Sequence, residues 1–114
     1  MSEHCVIFIT AGSKKEADKI SRGLVEDKLA FCVNTIPGIQ STYYWEDKIH
    51  VDEEFLLIVK TRKDRYDALE TWVKINHSYE VPEIIVLPID QGLPAYLSGI
   101  DDWVTKKGGE PPLA

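Results

Sequence analysis

Apolar and β-branched residues first cluster in a short segment near the start of the sequence. His4–Thr10 (HCVIFIT) is apolar at successive positions, which is typical of a central β-strand that is buried on both faces. Ser13, with Glu16 three residues later, has the sequence of a capping box at the start of a helix. Apolar residues at helical spacing follow, and they predict a first helix that continues to about Lys28: Ala17, Ile20 and Leu24.

The next part of the sequence predicts a long β-hairpin. Leu29–Trp45 has strand character and is interrupted once, at Pro37-Gly38. Because proline cannot donate a hydrogen bond to a sheet, we expect a bulge or an edge segment there. A short turn at Glu46-Asp47-Lys48 leads into a second strand over Ile49–Thr61.

Two further helices and one strand are predicted after the hairpin. Asp64 is placed to cap a second helix, whose inward face would be Tyr66, Leu69, Val73 and Asn76. Val81–Asp90 predicts a strand held between two prolines near a sheet edge. Pro94 suits the first turn of a last helix, with four residues facing inward: Tyr96, Leu97, Ile100 and Val104.

The predicted order, β-α-β-β-α-β with an additional C-terminal helix, is that of a ferredoxin-like α/β fold. In this α+β sandwich an antiparallel sheet is covered by two helices on one face. The segments Phe55–Val59 and Ile84–Leu87 are nevertheless apolar on both faces. The last helix is too short to cover the second face, so we expect self-association through the sheets. One domain is predicted over residues 1–105, followed by a flexible Gly/Pro-rich tail over residues 106–114.

Composition narrows the classes of function. The chain has 114 residues, and its net charge of −6 argues against a nucleic-acid partner, which would require a basic face. A net negative charge can attract cations, although it more often contributes only to solubility. Cys5 and Cys32 form no CxxC motif, and neither a signal-peptide pattern nor a membrane-spanning apolar run is present. We therefore expect a reduced, cytoplasmic protein with no membrane association.

Four separated motifs resemble the CutA divalent-cation tolerance family. They are CVNTIPG at Cys32–Gly38, YWEDK at Tyr44–Lys48, KTRK at Lys60–Lys63 and YEVPE at Tyr79–Glu83. They occur in the order and spacing of the family, and the resemblance covers roughly residues 5–104. It implies a homotrimer of ferredoxin-like subunits, similar in architecture to the PII signalling proteins, in which the long hairpins pair between subunits.

The resemblance implies a role in tolerance to divalent metals, with copper binding in some members and a link to acetylcholinesterase anchoring in animal relatives. It implies no catalytic activity. The sequence agrees, because it contains no GxxxxGK[ST], GxSxG or HExxH motif and no CxxC after the first strand. No cofactor is assigned beyond a possible copper or other divalent ion.

Cys32 and His77 match family positions that could bind a metal. A thiolate suits soft ions such as Cu(I), and an imidazole suits copper or zinc. The alternatives are a Cys32 that packs as a small apolar residue and a His77 that interacts with the negative end of a helix dipole. This chain departs from the family pattern at Phe31 and Ser78, and it has Ile9 where some metal-binding members carry another cysteine. The nearest cysteine of this strand, Cys5, lies four residues before Ile9 in the sequence.

Trp45, Lys60, Tyr79 and Glu80 match positions that line the inter-subunit cleft of the family. Aromatic rings, one ammonium and one carboxylate could orient a small ligand. Alternatively, Lys60 and Glu80 could form an ion pair between subunits under an aromatic lid. Two functions therefore remain open, a trimeric metal-response protein and a PII-like module that binds a small anionic ligand in the cleft. His50, Glu53 and Glu54 on the hairpin are weaker candidates for attracting cations, because a solvated acidic edge explains them better.

Overall fold

The computed structural model describes residues 3–105, and the predicted flexible tail at residues 106–114 lies outside them. The described residues form four strands and three α-helices, with one 3₁₀ turn at Lys63–Arg65. In order they are β1 (His4–Ala11), α1 (Lys14–Glu26), β2 (Cys32–Trp45), β3 (Lys48–Arg62), α2 (Tyr66–Asn76), β4 (Ile84–Pro88) and α3 (Pro94–Val104).

The four strands form one antiparallel sheet in the order β2-β3-β1-β4. Ile7 in the centre of the sheet faces Val59 of β3 on one side and Val86 of β4 on the other. This arrangement confirms the predicted ferredoxin-like topology with a C-terminal helix.

The hydrophobic core lies between α1, α2 and one face of the sheet, which we call the inner face. Alternate residues of β1 and β3 point to this face and have no exposed surface, including Ile7, Ile9, Leu57 and Val59. The two helices cover them with a further set of fully buried side chains, Ala17, Ile20, Leu24, Leu69 and Val73. The spacing of these helical residues matches the predicted amphipathic pattern.

The opposite side of the sheet, the outer face, is also apolar, but it is only half covered. At one end α3 packs across it, and Asp101 accepts hydrogen bonds from Arg62 at 2.6 Å and from His4 at 2.9 Å. Beyond α3 the alternation of the strands places six apolar residues on this face: Val6, Phe8, Leu56, Ile58, Ile85 and Leu87. Ile85 and Leu87 remain 48% and 42% exposed, so the face lacks a cover in the single chain.

The hairpin between β2 and β3 shows both predicted irregularities. The strand register shifts between Ile36 and Ile39, and Gly38 has a φ of +70°, a conformation that glycine adopts without a steric penalty. At the tip, Glu46 and Asp47 have φ values of 49° and 65°. Positive φ at both central residues defines a two-residue type I′ turn, one residue shorter than the predicted turn.

Two predictions about local structure are wrong. Asp64 does not cap α2, because the 3₁₀ turn precedes that helix and the Asp64 carboxylate instead accepts hydrogen bonds from Arg62. The fourth strand is also shorter than the predicted range of 81–90. Only Ile84–Pro88 pairs with β1, because residues 79–83 leave the edge of the sheet to line a pocket.

Candidate functional site

A pocket of about 520 Å³ lies between the β2–β3 hairpin and the segment that follows α2. Thr10 and Glu54 form its floor on the outer side of the sheet, at the end away from α3. The hairpin and the later segment supply the walls. The lining residues are Thr10, Ser41, Thr42, Tyr43, Trp45, Glu54, Tyr79, Glu80, Val81 and Glu83.

The lining of the pocket is acidic and aromatic. It contains three carboxylates, from Glu54, Glu80 and Glu83, and three aromatic rings, from Tyr43, Trp45 and Tyr79. No lysine, arginine or histidine is among the described residues that line it. The charge of this pocket therefore favours cationic ligands over anionic ones.

His77 fixes the segment that carries the pocket residues Tyr79 to Glu83. Its side chain is fully buried, and its Nε2 lies 2.7 Å from the carbonyl oxygen of Thr10 at the end of β1. The backbone N–H of Tyr79 donates to Nδ1 at 3.1 Å. Because Nδ1 accepts this bond, Nε2 carries the proton that is donated to the Thr10 carbonyl oxygen.

A second anchor of the same segment comes from α1. The Ser13 hydroxyl caps this helix as predicted, accepting a hydrogen bond from the N–H of Glu16 at 3.2 Å. The Glu16 carboxylate does not complete the predicted capping box. It accepts hydrogen bonds from the N–H and the hydroxyl of Ser78, at 2.6 and 3.1 Å. Helix α1 therefore holds the segment from one side, while β1 holds it from the other.

Tyr79 connects the anchored segment to the floor of the pocket. Its hydroxyl donates to Glu54 Oε2 at 2.5 Å, and Glu54 is only 6% exposed. Burial and the hydrogen bond to Glu54 together raise the pKa of Tyr79 far above its usual range, so the hydroxyl keeps its proton. The Glu54 carboxylate thus has a permanent donor on one oxygen. Its other oxygen, Oε1, accepts no hydrogen bond from residues 3–105.

Tyr43 is held in the opposite wall by contacts within the hairpin. Its hydroxyl donates to the Asp52 carboxylate across the two strands, and this hydrogen bond raises the pKa of Tyr43. Its ring also stacks on His50, with the ring centres 5.2 Å apart. These contacts position the ring before any ligand arrives.

The carboxyl group of Glu83 in the pocket is easier to protonate than that of an ordinary glutamate. Burial of part of the group, reinforced by the negative charge of Glu54, raises the pKa of Glu83 above its ordinary value. A cation bound between the two groups would relieve this repulsion. A cation bound there would therefore favour loss of the Glu83 proton.

A substitution at Gly12 tests the contact between the Tyr79 hydroxyl and Glu54 in the pocket. A Cβ atom at Gly12 would lie 2.8 Å from the Tyr79 hydroxyl oxygen, so Gly12→Ala should push that hydroxyl away from Glu54. We expect a loss of about 1 kcal/mol in the free energy of unfolding, since one hydrogen bond to a buried carboxylate weakens. Urea denaturation of Gly12→Ala, Tyr79→Phe and the double variant measures it. The double variant should lose less free energy of unfolding than the two single variants lose together. Fully additive losses would show that Gly12→Ala does not displace the hydroxyl.

Three of the four predicted cleft residues, Trp45, Tyr79 and Glu80, line this pocket within a single chain. Lys60 does not. It lies near the opposite end of β3, where its ammonium donates to the side-chain oxygen of Asn34. The described residues show no ion pair between Lys60 and Glu80.

The two predicted metal ligands, Cys32 and His77, do not meet within one chain. Cys32 starts β2 opposite Lys60, which faces Val6 on β1, whereas His77 contacts Thr10 four residues further along β1. This offset corresponds to roughly 13 Å along the strands and roughly 10 Å across them. Both nitrogens of His77 are also engaged in hydrogen bonds. The Cys32 thiol lies 4.0 Å from Asn34 Oδ1.

Within residues 3–105 no group of three or more His, Cys, Asp and Glu side chains is arranged to hold a metal ion. Burial raises the pKa of Cys5 to about 11, so this thiol is a core residue and a poor ligand. None of the helices in the same range is long and apolar enough to cross a membrane.

Tyr43 and Glu83 line the pocket although the sequence assigns them no site role, and Glu54 forms its floor although it is only a weak candidate from the sequence. A signal for Glu54 existed, because it shares the alternation of Leu56 and Ile58 and so had to face the apolar outer side. Tyr43 directly precedes the family motif YWEDK, and Glu83 is the last residue of the motif YEVPE. The turn that brings residues 79–83 over the hairpin has no pattern of its own in the sequence.

The fold and the arrangement of the pocket are those of a small antiparallel α+β protein with an acidic cleft beside a long hairpin. A family model described as "CutA1 divalent ion tolerance protein" matches residues 5–107. The chain belongs to this family.

Individual relatives agree with the family model. A protein named "Divalent-cation tolerance protein CutA" from Archaeoglobus fulgidus is 46% identical over 101 residues, covering 89% of this chain and 98% of that protein. A rice protein named "Protein CutA 1, chloroplastic" is 47% identical over 92 residues, covering 81% of this chain. The chain spans about half the length of the plant relatives that it matches, at 52% for rice and 50% for Arabidopsis thaliana.

Solved structures share the whole fold. The crystal structure of CutA1 from rice superposes with a TM-score of 0.88 at 40% identity, covering 93% of this chain and 97% of that one. The structure of an Archaeoglobus fulgidus protein, titled "Periplasmic divalent cation tolerance protein CutA", superposes with a TM-score of 0.86 at 46% identity. It covers 89% of this chain and 98% of that structure's chain.

Proposed function

We propose that the protein is a non-enzymatic, homotrimeric cation-binding protein that serves the response to divalent metal ions, and that the acidic pocket is its binding site. The observation that carries this proposal is the lining of the pocket, with three carboxylates and no basic side chain among the described residues. Membership of the divalent ion tolerance family supports a metal ion as one ligand. Two free thiols support a reducing, cytoplasmic location.

Binding of a metal ion in this pocket would be weak. Because no three potential ligands within residues 3–105 are arranged around one point, water would complete most of the coordination shell of the ion. Carboxylates prefer hard or intermediate ions, so manganese and zinc suit the pocket better than Cu(I) does. A copper site that depends on Cys32 and His77 together has no support from the geometry of one chain.

A module for small anionic ligands is the less favoured function. Glu54, Glu80 and Glu83 would repel an anion, and the predicted anion-binding group, Lys60, does not line the pocket. An anion would need a positive charge from another subunit or from a bound metal ion. Titration with nucleotides in the absence of metal therefore separates the two functions.

Cation binding should depend on pH through Glu83. As the pH falls, Glu83 takes up a proton before an ordinary glutamate does, because its pKa is raised. The proton competes with the cation, so affinity should decrease as the pH is lowered from 7 towards 5. In Glu83→Gln, the affinity for a cation at pH 7 should fall by at most about threefold, as expected for the loss of one partly exposed charge interaction. The affinity of this variant should also depend less on pH.

Isothermal titration calorimetry of the wild-type protein with zinc, manganese and copper tests the proposal. The matched controls are Cys32→Ser and Glu53→Gln, which lie outside the pocket lining. Equal loss of affinity in Glu83→Gln and Glu53→Gln would show that only general surface charge is involved. Loss in Cys32→Ser alone would move the metal site to the thiol.

The open outer face supports a homotrimer of PII-like architecture. Apolar residues of three strands are gathered there without a cover, and closed symmetric assemblies bury such faces. Size-exclusion chromatography with light scattering should give three times the subunit mass of 13.0 kDa. A soluble species of one subunit mass at micromolar concentration would contradict this assembly.

A further inference from the structure

We propose that the acidic pocket binds an organic ammonium ion that carries N–H donors, such as an alkyl diamine, in addition to metal ions. This inference deepens the proposed function, since it names a second class of cation for the same site. The probes are chosen below so that the two proposals can fail separately.

The size of the pocket argues for an organic ligand. A volume of about 520 Å³ is far larger than a single metal ion requires, and it falls in the range of about 300–1,000 Å³ that is typical of small-molecule sites. No three carboxylates among the described residues converge on one point. Separate carboxylates suit a ligand whose positive groups and N–H donors are themselves separated.

The aromatic walls point to the same class of ligand. Tyr43, Trp45 and Tyr79 are 40%, 41% and 37% exposed, so their rings border the cavity without being buried by the protein. An ammonium over the face of such a ring is attracted by the ring quadrupole, most strongly for tryptophan. Metal ions that keep their water shell gain little from aromatic walls.

The chain contains an internal example of this contact. The Lys28 ammonium lies 3.7 Å from the centre of the Trp103 ring, at the junction of α1 and α3. Trp45 is 41% exposed, and its indole makes no hydrogen bond, ring contact or cation contact within residues 3–105. The pocket thus presents an accessible tryptophan ring beside three carboxylates.

Glu54 supplies a directional acceptor at the base of the site. It is 6% exposed, and the Tyr79 hydroxyl occupies only its Oε2 atom. The remaining oxygen, Oε1, can accept a hydrogen bond from an ammonium N–H inside the cavity. This acceptor distinguishes an amine with N–H donors from a fully methylated ammonium, which has none.

The test follows the indole N–H signal of Trp45 by two-dimensional NMR of the assembled protein. Titrants are 1,4-diaminobutane, the uncharged analogue 1,4-butanediol, tetramethylammonium and zinc chloride. We expect diaminobutane to shift the Trp45 signal in a saturable way, more strongly than tetramethylammonium does, and butanediol to leave it unchanged. In Glu83→Gln and Trp45→Leu the affinity, measured by calorimetry, should fall about threefold or more, whereas Glu53→Gln should match wild type.

The outcomes separate the two proposals. A shift with zinc but none with diaminobutane overturns this inference and leaves the proposed cation-binding function intact. Equal responses to diaminobutane and butanediol, or equal affinities in Glu83→Gln, Trp45→Leu and wild type, also overturn it. If neither zinc nor diaminobutane shifts the Trp45 signal, both proposals fail.

Discussion

Leu57→Asp is expected to abolish folding of the subunit. Leu57 has no exposed surface, lies in the middle of β3 between Ile9 and Thr35, and faces α1 and α2 across the core. A carboxylate there would be buried without a partner, which costs several kcal/mol out of a total stability of about 5–15 kcal/mol for a domain. Circular dichroism and urea denaturation measure the loss.

Leu56→Asp is the matched control, because Leu56 is the preceding residue on the same strand and points to the outer face. It is only half-buried in the single chain. We expect this variant to retain its secondary structure but to lose the proposed trimeric mass in light scattering. If Leu57→Asp unfolded at the wild-type urea concentration, the assignment of the inner face would be wrong. If Leu56→Asp stayed trimeric, the outer face would not be the interface.

Gly23→Ala should have the second-largest effect on the free energy of unfolding. It should destabilise the protein, although alanine has a higher helix propensity than glycine. In an exposed helix this change would stabilise the chain by about 1 kcal/mol. At Gly23, however, the new methyl group would lie 2.3 Å from the Trp72 ring, where α1 and α2 pack together. We expect a net loss of about 2 kcal/mol, since overpacking forces the ring or the helices to move.

The double variant Gly23→Ala with Trp72→Leu identifies the cause. Removing the large ring should make room for the methyl group, so the second substitution should recover part of the stability lost in the first. Thermal unfolding of the four proteins of the cycle gives the interaction energy. Additive losses would show that the contact between Gly23 and Trp72 is not responsible.

Most of the fold could be predicted because its signals are local. The apolar run of β1, the Ser13 cap of α1, the Pro37-Gly38 bulge and Pro94 at the start of α3 each act through neighbouring residues, and the structure has each of them. The wrong predictions arise where a side chain has more than one available hydrogen-bond partner. Asp64 has the right type for a helix cap, but Arg62 two residues earlier holds its carboxylate instead.

The pocket was harder to predict because its residues are brought together by contacts between distant parts of the chain. Glu16 has the sequence of a capping box, yet its carboxylate bonds Ser78, which is 62 residues away. His77 has the chemistry of a metal ligand, but both ring nitrogens are engaged with the backbone. Residue type suggested a function for each side chain, whereas the available partners determined its role.

Paramagnetic broadening by manganese tests the proposed cation-binding site most directly. Mn²⁺ added in small amounts to the isotope-labelled protein broadens the NMR signals of nuclei close to the bound ion. A cation in the acidic pocket should broaden Tyr43, Trp45, Tyr79 and Val81 first, and excess magnesium or zinc should restore their signals. Broadening centred on Cys32, or spread evenly over the acidic surface, would contradict the assignment of the pocket as the cation-binding site.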